Sequence, residues 1–177
     1  PYFRALAETP GKFREMVEAA AAKRFPGARL LRLSAAPADA QGEPWVESEF
    51  TAPALSVSGP RTVLPAAYEA FQLSRQYAGK DERRHPLELH FTRSQTSRLT
   101  YRLGADFKPG DLPKSAQLEE PFARYVRKVE TRAGEIAVSE EYALLQDRIE
   151  VKDYPKFRDF CNRVDALQEE KVVLEKK

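Results

Sequence analysis

Apolar and polar residues alternate along much of the second half of the chain. The clearest run lies in the segment 135–145, where one face carries Ile136, Val138, Tyr142 and Leu144. A period of two is typical of a strand with one buried face. The same alternation, or short apolar stretches between turn residues, predicts further strands at 28–34, 45–51, 54–58, 61–64, 87–92, 98–103, 116–119, 122–131 and 171–174.

Two segments have the apolar spacing of helices instead. The first begins at Thr9 and Pro10 and ends at the run Phe25-Pro26-Gly27, since proline cannot continue the helical ladder. The second begins at Asp153, a residue type that caps helices, and carries an apolar stripe through residue 167. Aromatic residues in the segment 65–78 predict a third helix.

These elements predict a mainly β (α+β) fold. No helix separates the consecutive strands of the second half, which favours antiparallel pairing. We expect an antiparallel β-sandwich with an N-terminal helix and a C-terminal helix packed against it. The charged segment 79–84 is the best internal boundary. It predicts a subdomain of helix and short strands at 1–79 and a sandwich-like subdomain with a C-terminal helix at 80–177, or else one continuous module over 1–177.

The charge of the chain does not favour a nucleic-acid partner. The 29 lysines and arginines are balanced by 27 acidic residues, and the net charge is only +2. Nucleic-acid surfaces need clustered cations that release counterions. The densest basic spot, Arg83-Arg84-His85, directly follows Asp81 and Glu82. No apolar run reaches the roughly 18 residues of a membrane-spanning helix, so we expect no membrane insertion either.

The residues that could carry catalysis are few. Cys161 is the only thiol, and it falls on the apolar stripe of the second helix, where it is interpreted as a small buried hydrophobe. His85 and His90 would face opposite sides of one strand, so they cannot jointly hold a metal ion there. We therefore predict no enzyme activity, no metal site and no cofactor.

The acidic pairs Glu119-Glu120 and Glu140-Glu141 are not ready acid–base dyads, because neighbours on a strand point apart. Glu140 is unusual, since it shares the face of Val138 and Tyr142. Two interpretations stay open for it: burial with an arginine partner, or a solvated sheet edge. A hydrolase would need Glu140, a histidine and Cys161 to converge in one cleft.

Aromatic side chains in the first half are the candidates for a binding surface. They are Trp45, Tyr68, Phe71 and Tyr77. A stacking platform needs these rings to be exposed, whereas a core would bury them.

Short motifs in a fixed order resemble the region that follows the core of bacterial transglutaminase-like proteins. The stretch Glu120–Tyr125 resembles a "TPFGRY" element, and Tyr154–Phe160 resembles a "YPEFREF" helix start. Leu103–Pro113 resembles an "LPEGY…LP" turn. The remaining similar segments are Arg24–Arg29, Arg84–Leu89 and the closing strand Lys171–Leu174.

The resemblance implies that the chain is the C-terminal β domain of such a protein. The chemistry of that family belongs to the core, and no residue here matches the core's Cys, His and Asp motifs. We expect a non-catalytic accessory module that docks on the neighbouring core or on another protein. The alternative is an independent peptide- or glycan-binding sandwich. The resemblance favours the periplasm or cell envelope.

Overall fold

A computed structural model describes residues 9–36, 44–52, 57–58, 61–89 and 91–177. The chain divides into two compact units, Pro1–Ser56 and Val57–Lys177. Each unit is considered by itself below. His90 and most of the predicted strand at 54–58 lie outside the described residues.

The described residues of the first unit form a helix and a hairpin. Helix α1 spans Pro10–Arg24, and strands β1 (Arg29–Ala36) and β2 (Trp45–Thr51) pair antiparallel. The helix ends before Pro26, and Gly27 takes a positive φ of 81° that favours glycine. Thr9 occupies the capping position but makes no side-chain hydrogen bond there. Three hydrophobic side chains four residues apart on α1 are buried: Phe13, Val17 and Ala21.

In the second unit, the residues that the structure describes form two four-stranded antiparallel sheets. Sheet I has the order β6-β10-β9-β8, and sheet II has the order β3-β4-β12-β7. The strands of sheet I are β6 (Arg93–Arg102), β8 (Ala116–Glu120), β9 (Ala123–Arg132) and β10 (Glu135–Leu144). The strands of sheet II are β3 (Val57–Ser58), β4 (Arg61–Pro65), β7 (Phe107–Pro109) and β12 (Lys171–Lys176). A short pair joins β5 (Leu87–Glu88) to β11 (Arg148–Ile149). The helices are α2 (Leu73–Tyr77) and α3 (Tyr154–Glu169).

The inner face of sheet I has two different packing partners. One end carries Ile136 and Val138, which form an aliphatic cluster with Val172 and Leu174 of sheet II. The other end carries Tyr142 and Leu144 of the same strand, which form an aromatic-rich cluster with α3. Phe122 stacks edge-on against Phe157 of α3, with ring centroids 5.4 Å apart. The fold is therefore mainly β, and the predicted α+β class with helices on antiparallel sheets is confirmed.

Helix α3 buries the stripe that its sequence predicted except at Leu167, which is half-buried and packs against the aromatic-rich cluster. Its buried residues are Tyr154, Phe157, Phe160, Cys161, Val164 and Gln168. Pro155 stands in the first turn, where its missing N–H has no helical partner to lose. Asp153 precedes the helix but makes no capping hydrogen bond with its side chain.

The prediction of a helix over 65–78 is wrong in extent. Only Leu73–Tyr77 is helical, and Gln72 before it has a left-handed backbone with a φ of 52°. The strand predicted at 87–92 is likewise shorter, since only Leu87–Glu88 pairs as a strand. Phe91, which alternates with Leu87 and Leu89 in the sequence, is 47% exposed, whereas those two leucines are buried.

The segment 79–84, which the sequence suggested as a boundary, is attached to α3. The Tyr154 hydroxyl donates to the Lys80 carbonyl at 2.7 Å, and Arg158 pairs with Asp81 at 2.5 Å. Residues on both sides of the segment, including Phe71 and Leu87, belong to the aromatic-rich cluster. The boundary between the two compact units falls after Ser56. The predicted subdomains 1–79 and 80–177, with the alternative of one continuous module, stay a prediction.

Candidate functional site

Helix α2 is held by a side chain from α3. The Asp165 carboxylate accepts hydrogen bonds from the backbone N–H groups of Leu73 at 2.8 Å and Ser74 at 2.9 Å. It also accepts a short hydrogen bond from the Ser74 hydroxyl. The first N–H groups of a helix have no partner within the helix, and no side chain at Gln72 supplies one. Asp165, a residue distant in the sequence, therefore caps α2 in place of a side chain at the capping position.

Gln168, one turn further along α3, connects the segment before α2 to sheet I. Its Oε1 accepts from the Phe71 N–H at 2.8 Å, and its Nε2 donates to Glu140 Oε2 at 3.1 Å. The other carboxylate oxygen of Glu140 accepts from the Tyr125 hydroxyl at 2.6 Å. Glu140 is only 2% exposed, so these hydrogen bonds offset part of the cost of burying its charge.

Arg127 is a buried cation at the same level of the sheet. It lies directly opposite Glu140 in the β9–β10 register, so both side chains point to the inner face. Its guanidinium donates twice to the Lys114 carbonyl, at 2.9 and 2.7 Å, and to the Leu167 carbonyl near the end of α3. It also pairs with Glu170 at 2.8 Å. A cation at the C-terminal end of a helix is stabilised by the helix dipole.

These groups form a buried polar junction, defined here as Tyr125, Arg127, Glu140 and Gln168. Burial raises the pKa of Tyr125, and the neighbouring Glu140 carboxylate raises it further. The phenol therefore stays protonated and remains a donor to Glu140. The junction separates the aliphatic end of the inner face from the aromatic end, and its hydrogen bonds join α3 to two strands of sheet I.

A small cavity opens beside the aromatic end. It has a volume of about 60 Å³. Its lining residues are Glu69, Ala70, Phe71, Leu73, Gln76, Arg93, Gln95 and Tyr142. The rings of Phe71 and Tyr142 lie 5.3 Å apart. The Tyr142 hydroxyl is buried and has no hydrogen-bond partner among the residues that the structure describes.

Residues 61–174 match the family described as Domain of Unknown Function with solved-structure structure (DUF3858). The chain belongs to the DUF3858 family. The matched range covers more than half of the chain and includes α2, α3, the polar junction and the cavity. No curated protein matches the sequence.

The DUF3858 chain is also similar in fold to part of a solved structure from Parabacteroides distasonis, described as a "putative protease". The similarity has a TM-score of 0.53 and 15% sequence identity, and it covers 65% of this chain and 23% of that one. At this identity the likeness shows a shared fold alone. The chain thus spans about a quarter of the length of that protein.

The aromatic residues proposed from the sequence are not exposed alike. Trp45 lies in the first unit and is 48% exposed, whereas Phe71 is buried in the aromatic-rich cluster. Tyr77 is half-buried and packs against the same cluster, and Tyr68 is half-buried. The structure therefore brings Phe71 and Tyr77 to one cluster of the DUF3858 region. That the four aromatics bind a ligand stays a prediction.

Cys161 and His85 lie in different environments. Cys161 is fully buried, and burial together with the nearby Asp165 charge raises its pKa to about 12. A thiol with this pKa is almost entirely protonated at neutral pH and is a poor nucleophile. His85 is exposed. Among the described residues, no group of three or more His, Cys, Asp and Glu side chains could hold a metal ion. No helix in the described ranges is long and apolar enough to cross a membrane.

Sequence reasoning missed Arg127, Asp165, Gln168 and the Tyr142 hydroxyl. A signal was present for Arg127, because it alternates with Tyr125 and Val129 on the strand 122–131 and so shares their inward face. Asp165 and Gln168 gave no such signal. Their partners at Phe71, Leu73 and Ser74 are 91 to 97 residues away along the chain, and no local pattern predicts contacts at that separation.

Proposed function

We propose that this DUF3858 domain is a non-catalytic accessory module of a larger transglutaminase-like protein, in which it docks on the core or positions the core's partners. The observation that carries the proposal is the fold likeness to about a quarter of a longer protein described as a "putative protease". Transglutaminase and protease reactions both begin with attack on an amide carbonyl. The motif resemblance and the structural likeness therefore suggest a parent protein that acts on amides.

The interior of the domain also supports a non-catalytic role. The thiol at Cys161 is buried and its pKa is raised to about 12, the opposite of what a thiol nucleophile needs. The Glu140 carboxylate is engaged with Tyr125 and Gln168 inside the sheet. Groups held in this way stabilise the fold, and they leave the chemistry to another part of the parent protein.

Exposed apolar side chains suggest where a neighbouring domain would contact this one. In the first unit, Trp45 and Val46 are adjacent and exposed on the hairpin. In the second unit, Phe91 and Leu145 are exposed at one end of sheet I, since Arg93 pairs with Leu144 in register. Contiguous exposed apolar patches are characteristic of surfaces that contact another protein, and Trp45 and Val46, as neighbours on a strand, present one apolar side chain on each face of the hairpin.

The alternative of an independent peptide- or glycan-binding module is less favoured. The cavity that Phe71 lines has a volume of about 60 Å³. Sites for drug-sized ligands usually enclose about 300–1,000 Å³. This cavity is therefore small for a sugar ring or a peptide segment. A second, shallower depression of about 490 Å³ lies in the first unit, but none of its lining residues is aromatic: Glu18, Ala19, Ala22, Ala28, Arg29 and Leu30.

A binding experiment with separate pieces of the parent protein tests the proposal. The 177-residue chain would be titrated into the transglutaminase-like core of its own parent protein by calorimetry. We expect association that weakens at least tenfold when Trp45 or Leu145 is changed to Ser. The matched control is Thr100→Ala, an exposed change on sheet I that removes no apolar side chain.

Two outcomes contradict the proposal. One is no association between folded samples of both pieces, with folding checked by circular dichroism. The other is turnover of an amide substrate by this chain alone that survives removal of trace proteases and disappears in Cys161→Ala.

A further inference from the structure

Strand β6 forms one edge of sheet I. It is ten residues long, and it pairs with β10 in an unbroken antiparallel register from Arg93 opposite Leu144 to Arg102 opposite Glu135. No strand among the described residues pairs with its other side. An edge strand presents a row of unpaired N–H and C=O groups, so another chain can add to it as a further strand of the sheet.

One hydrogen bond just beyond β6 shows which of its backbone groups face this edge. The Leu103 N–H donates to the Gly134 carbonyl at 2.8 Å, and hydrogen-bonded pairs alternate along an antiparallel ladder. Every second residue counted back from Leu103 therefore bonds to β10, and the residues between them point their backbone groups away from it. Those groups have no backbone partner in the part of the chain that the structure describes. The residues that carry them, all exposed, form the outward row of β6: Ser94, Thr96, Arg98 and Thr100.

The other edges of the two sheets, as far as the structure describes them, are short or end at proline. In sheet I, β8 has only five residues and is followed directly by Pro121. In sheet II, β3 has two residues, and β7 has three and ends in Pro109. Short strands and prolines are common means by which proteins prevent pairing at sheet edges. Strand β6 has neither, so its edge is open to a partner strand.

The charges on β6 favour one kind of partner. The strand carries Arg93, Arg98 and Arg102 and no acidic residue. Two copies of β6 side by side would bring like charges together, which is unfavourable. Arg98 and Arg102 pair with glutamates at 3.4 Å, but more than half of each arginine side chain is exposed, and exposed ion pairs are weak. The edge therefore favours a strand with acidic side chains over a second copy of this chain.

The two faces of β6 define the pattern of that strand. Arg98, Thr100 and Arg102 alternate with Leu99 and Tyr101 and lie on the opposite face of the sheet. Leu99 is buried, and Tyr101 packs against the aliphatic cluster, so their face is the inner one. Residues of an added strand lie directly opposite those of β6 on the same face. The matching strand thus has acidic residues four apart, a polar residue midway and apolar residues between them, as in Glu-Val-Thr-Val-Glu.

We propose that the edge of β6 is the surface at which a partner protein adds an acidic, alternating strand to sheet I. The exposed apolar residues Phe91 and Leu145 adjoin this edge, since Phe91 lies two residues before β6 and Leu145 directly follows β10. The inference rests on the proposed docking function and names the surface through which docking occurs. The contact is a backbone ladder with a strand of a folded partner, and it requires no cavity.

Hydrogen exchange followed by NMR tests the edge in the 177-residue chain. In the free chain, we expect the outward-row amides to exchange at least tenfold faster than those of Gln95, Ser97 and Leu99, which point to β10. The probe is a capped peptide that contains Glu-Val-Thr-Val-Glu. It should bind saturably and slow exchange at the outward row. The same peptide with Lys in place of both Glu residues should bind at least fivefold more weakly.

Two variants separate the backbone contact from the charge contact. Thr96→Pro removes an outward N–H and no hydrogen bond to β10, so the folded chain should tolerate it. It should weaken binding of the acidic peptide at least tenfold, whereas the matched Thr96→Ala keeps the N–H and should leave binding unchanged. Arg98→Glu changes only an exposed side chain and should make the Lys peptide the better ligand. If Thr96→Pro does not fold, Arg98→Glu decides the test.

The outcomes distinguish this inference from the proposed function. Protection of the outward row by the transglutaminase-like core of the parent protein supports both. Association with the core without that protection overturns the edge site and leaves the docking function standing. Binding of the acidic peptide without association of the core does the reverse.

Four further results overturn the edge site. They are slow exchange of the outward row in the free chain, no saturable binding of the acidic peptide, equal binding of the two peptides, and self-association of the chain through β6. The last result would assign the edge to a second copy.

Discussion

The two ends of the inner face of sheet I are packed in different ways. Toward one end, β10 presents Ile136 and Val138 to the strands of sheet II, and the contact is aliphatic. Toward the other end, the same strand presents Tyr142 and Leu144 to α3, and the contact is rich in aromatic rings. The polar junction lies between them, at the position of Glu140.

The difference follows from what covers each end. A sheet that covers another sheet brings backbone groups that are mostly paired in its own ladder, so apolar side chains make most of the contact, with a cross-sheet hydrogen bond from the Tyr101 hydroxyl to the Pro65 carbonyl at 2.6 Å. A helix and an irregular segment bring helix termini and loop N–H groups that need partners once they are buried. Asp165, Gln168 and Arg127 supply those partners here. We therefore expect the stability of the helix-covered end to depend mainly on individual polar groups. The stability of the sheet-covered end should depend mainly on how completely apolar side chains fill the space between the sheets.

The largest expected effect is at Arg127. Changing Arg127 to Met removes its hydrogen bonds to the Lys114 and Leu167 carbonyls and the ion pair with Glu170. Losing one member of a buried charged network costs about 3–5 kcal/mol in the free energy of unfolding. Urea denaturation would measure this loss of stability. Lys128→Met, the neighbouring exposed change, should stay within about 0.5 kcal/mol. Equal effects of the two changes would contradict a special role for the junction.

The two buried tyrosines that face each other in the β9–β10 register provide the next test. Tyr125 donates to the Glu140 carboxylate at 2.6 Å, whereas the Tyr142 hydroxyl has no described partner. Tyr125→Phe should destabilise the fold by about 1.5–3 kcal/mol, the value of a hydrogen bond to a charged group. Tyr142→Phe should be neutral or slightly stabilising. If thermal denaturation gives the same loss of stability for both variants, the predicted difference between the two hydroxyls is wrong.

Alkaline pH should lower the stability of the helix-covered end. The pKa of Cys161 is raised from 9.0 to about 12, so the folded protein holds this proton more tightly than the unfolded chain does. The thiol's contribution is therefore constant below about pH 9, and the free energy of unfolding falls as pH rises from about 9 to 12. The slope is on the order of 1.4 kcal/mol per pH unit.

Cys161→Ala should flatten this slope in urea titrations between pH 8 and about 10. Ile136→Val, at the sheet-covered end, should cost about 0.5–1.5 kcal/mol at every pH and leave the slope as it is. A native thiol that reacts at once with a thiol reagent at neutral pH would contradict the assignment.

The smallest effect is expected at Asp165. Asp165→Asn keeps the size of the side chain and weakens the cap on α2, which should cost about 1 kcal/mol. Hydrogen exchange should quicken at the Leu73 and Ser74 N–H groups that the carboxylate holds. Asp159→Asn on the exposed side of α3 is the control. Unchanged exchange at Leu73 and Ser74 would mean that α2 does not need the carboxylate.

The sequence predicted the elements whose apolar period is set locally. Strands β9 and β10 were predicted almost to the residue, and Gly134 in the turn between them has the positive φ of 77° that favours glycine. Helix α3 was predicted for the same reason, since its stripe repeats through four turns. In these elements the packing face and the local propensity agree.

The sequence did not predict what depends on distant partners. The first N–H groups of helix α2 are capped by Asp165, 91 residues after Ser74, so no local signal marks where the helix begins. For Glu140, the sequence left burial and solvation open, and burial is the observed case, with partners on β9 and α3. The sequence did not predict the cavity either, because its lining residues come from an irregular segment, α2, β6 and β10.

The place of β12 in sheet II has a consequence for how the chain folds as it is made. This strand lies between β4 and β7, and it pairs Arg61 with Glu175 across 114 residues. Until it leaves the ribosome, β4 and β7 have no strand between them, and the aliphatic cluster lacks Val172 and Leu174. Pairing at such long range is slow, so the growing chain carries two open strand edges that are vulnerable to aggregation.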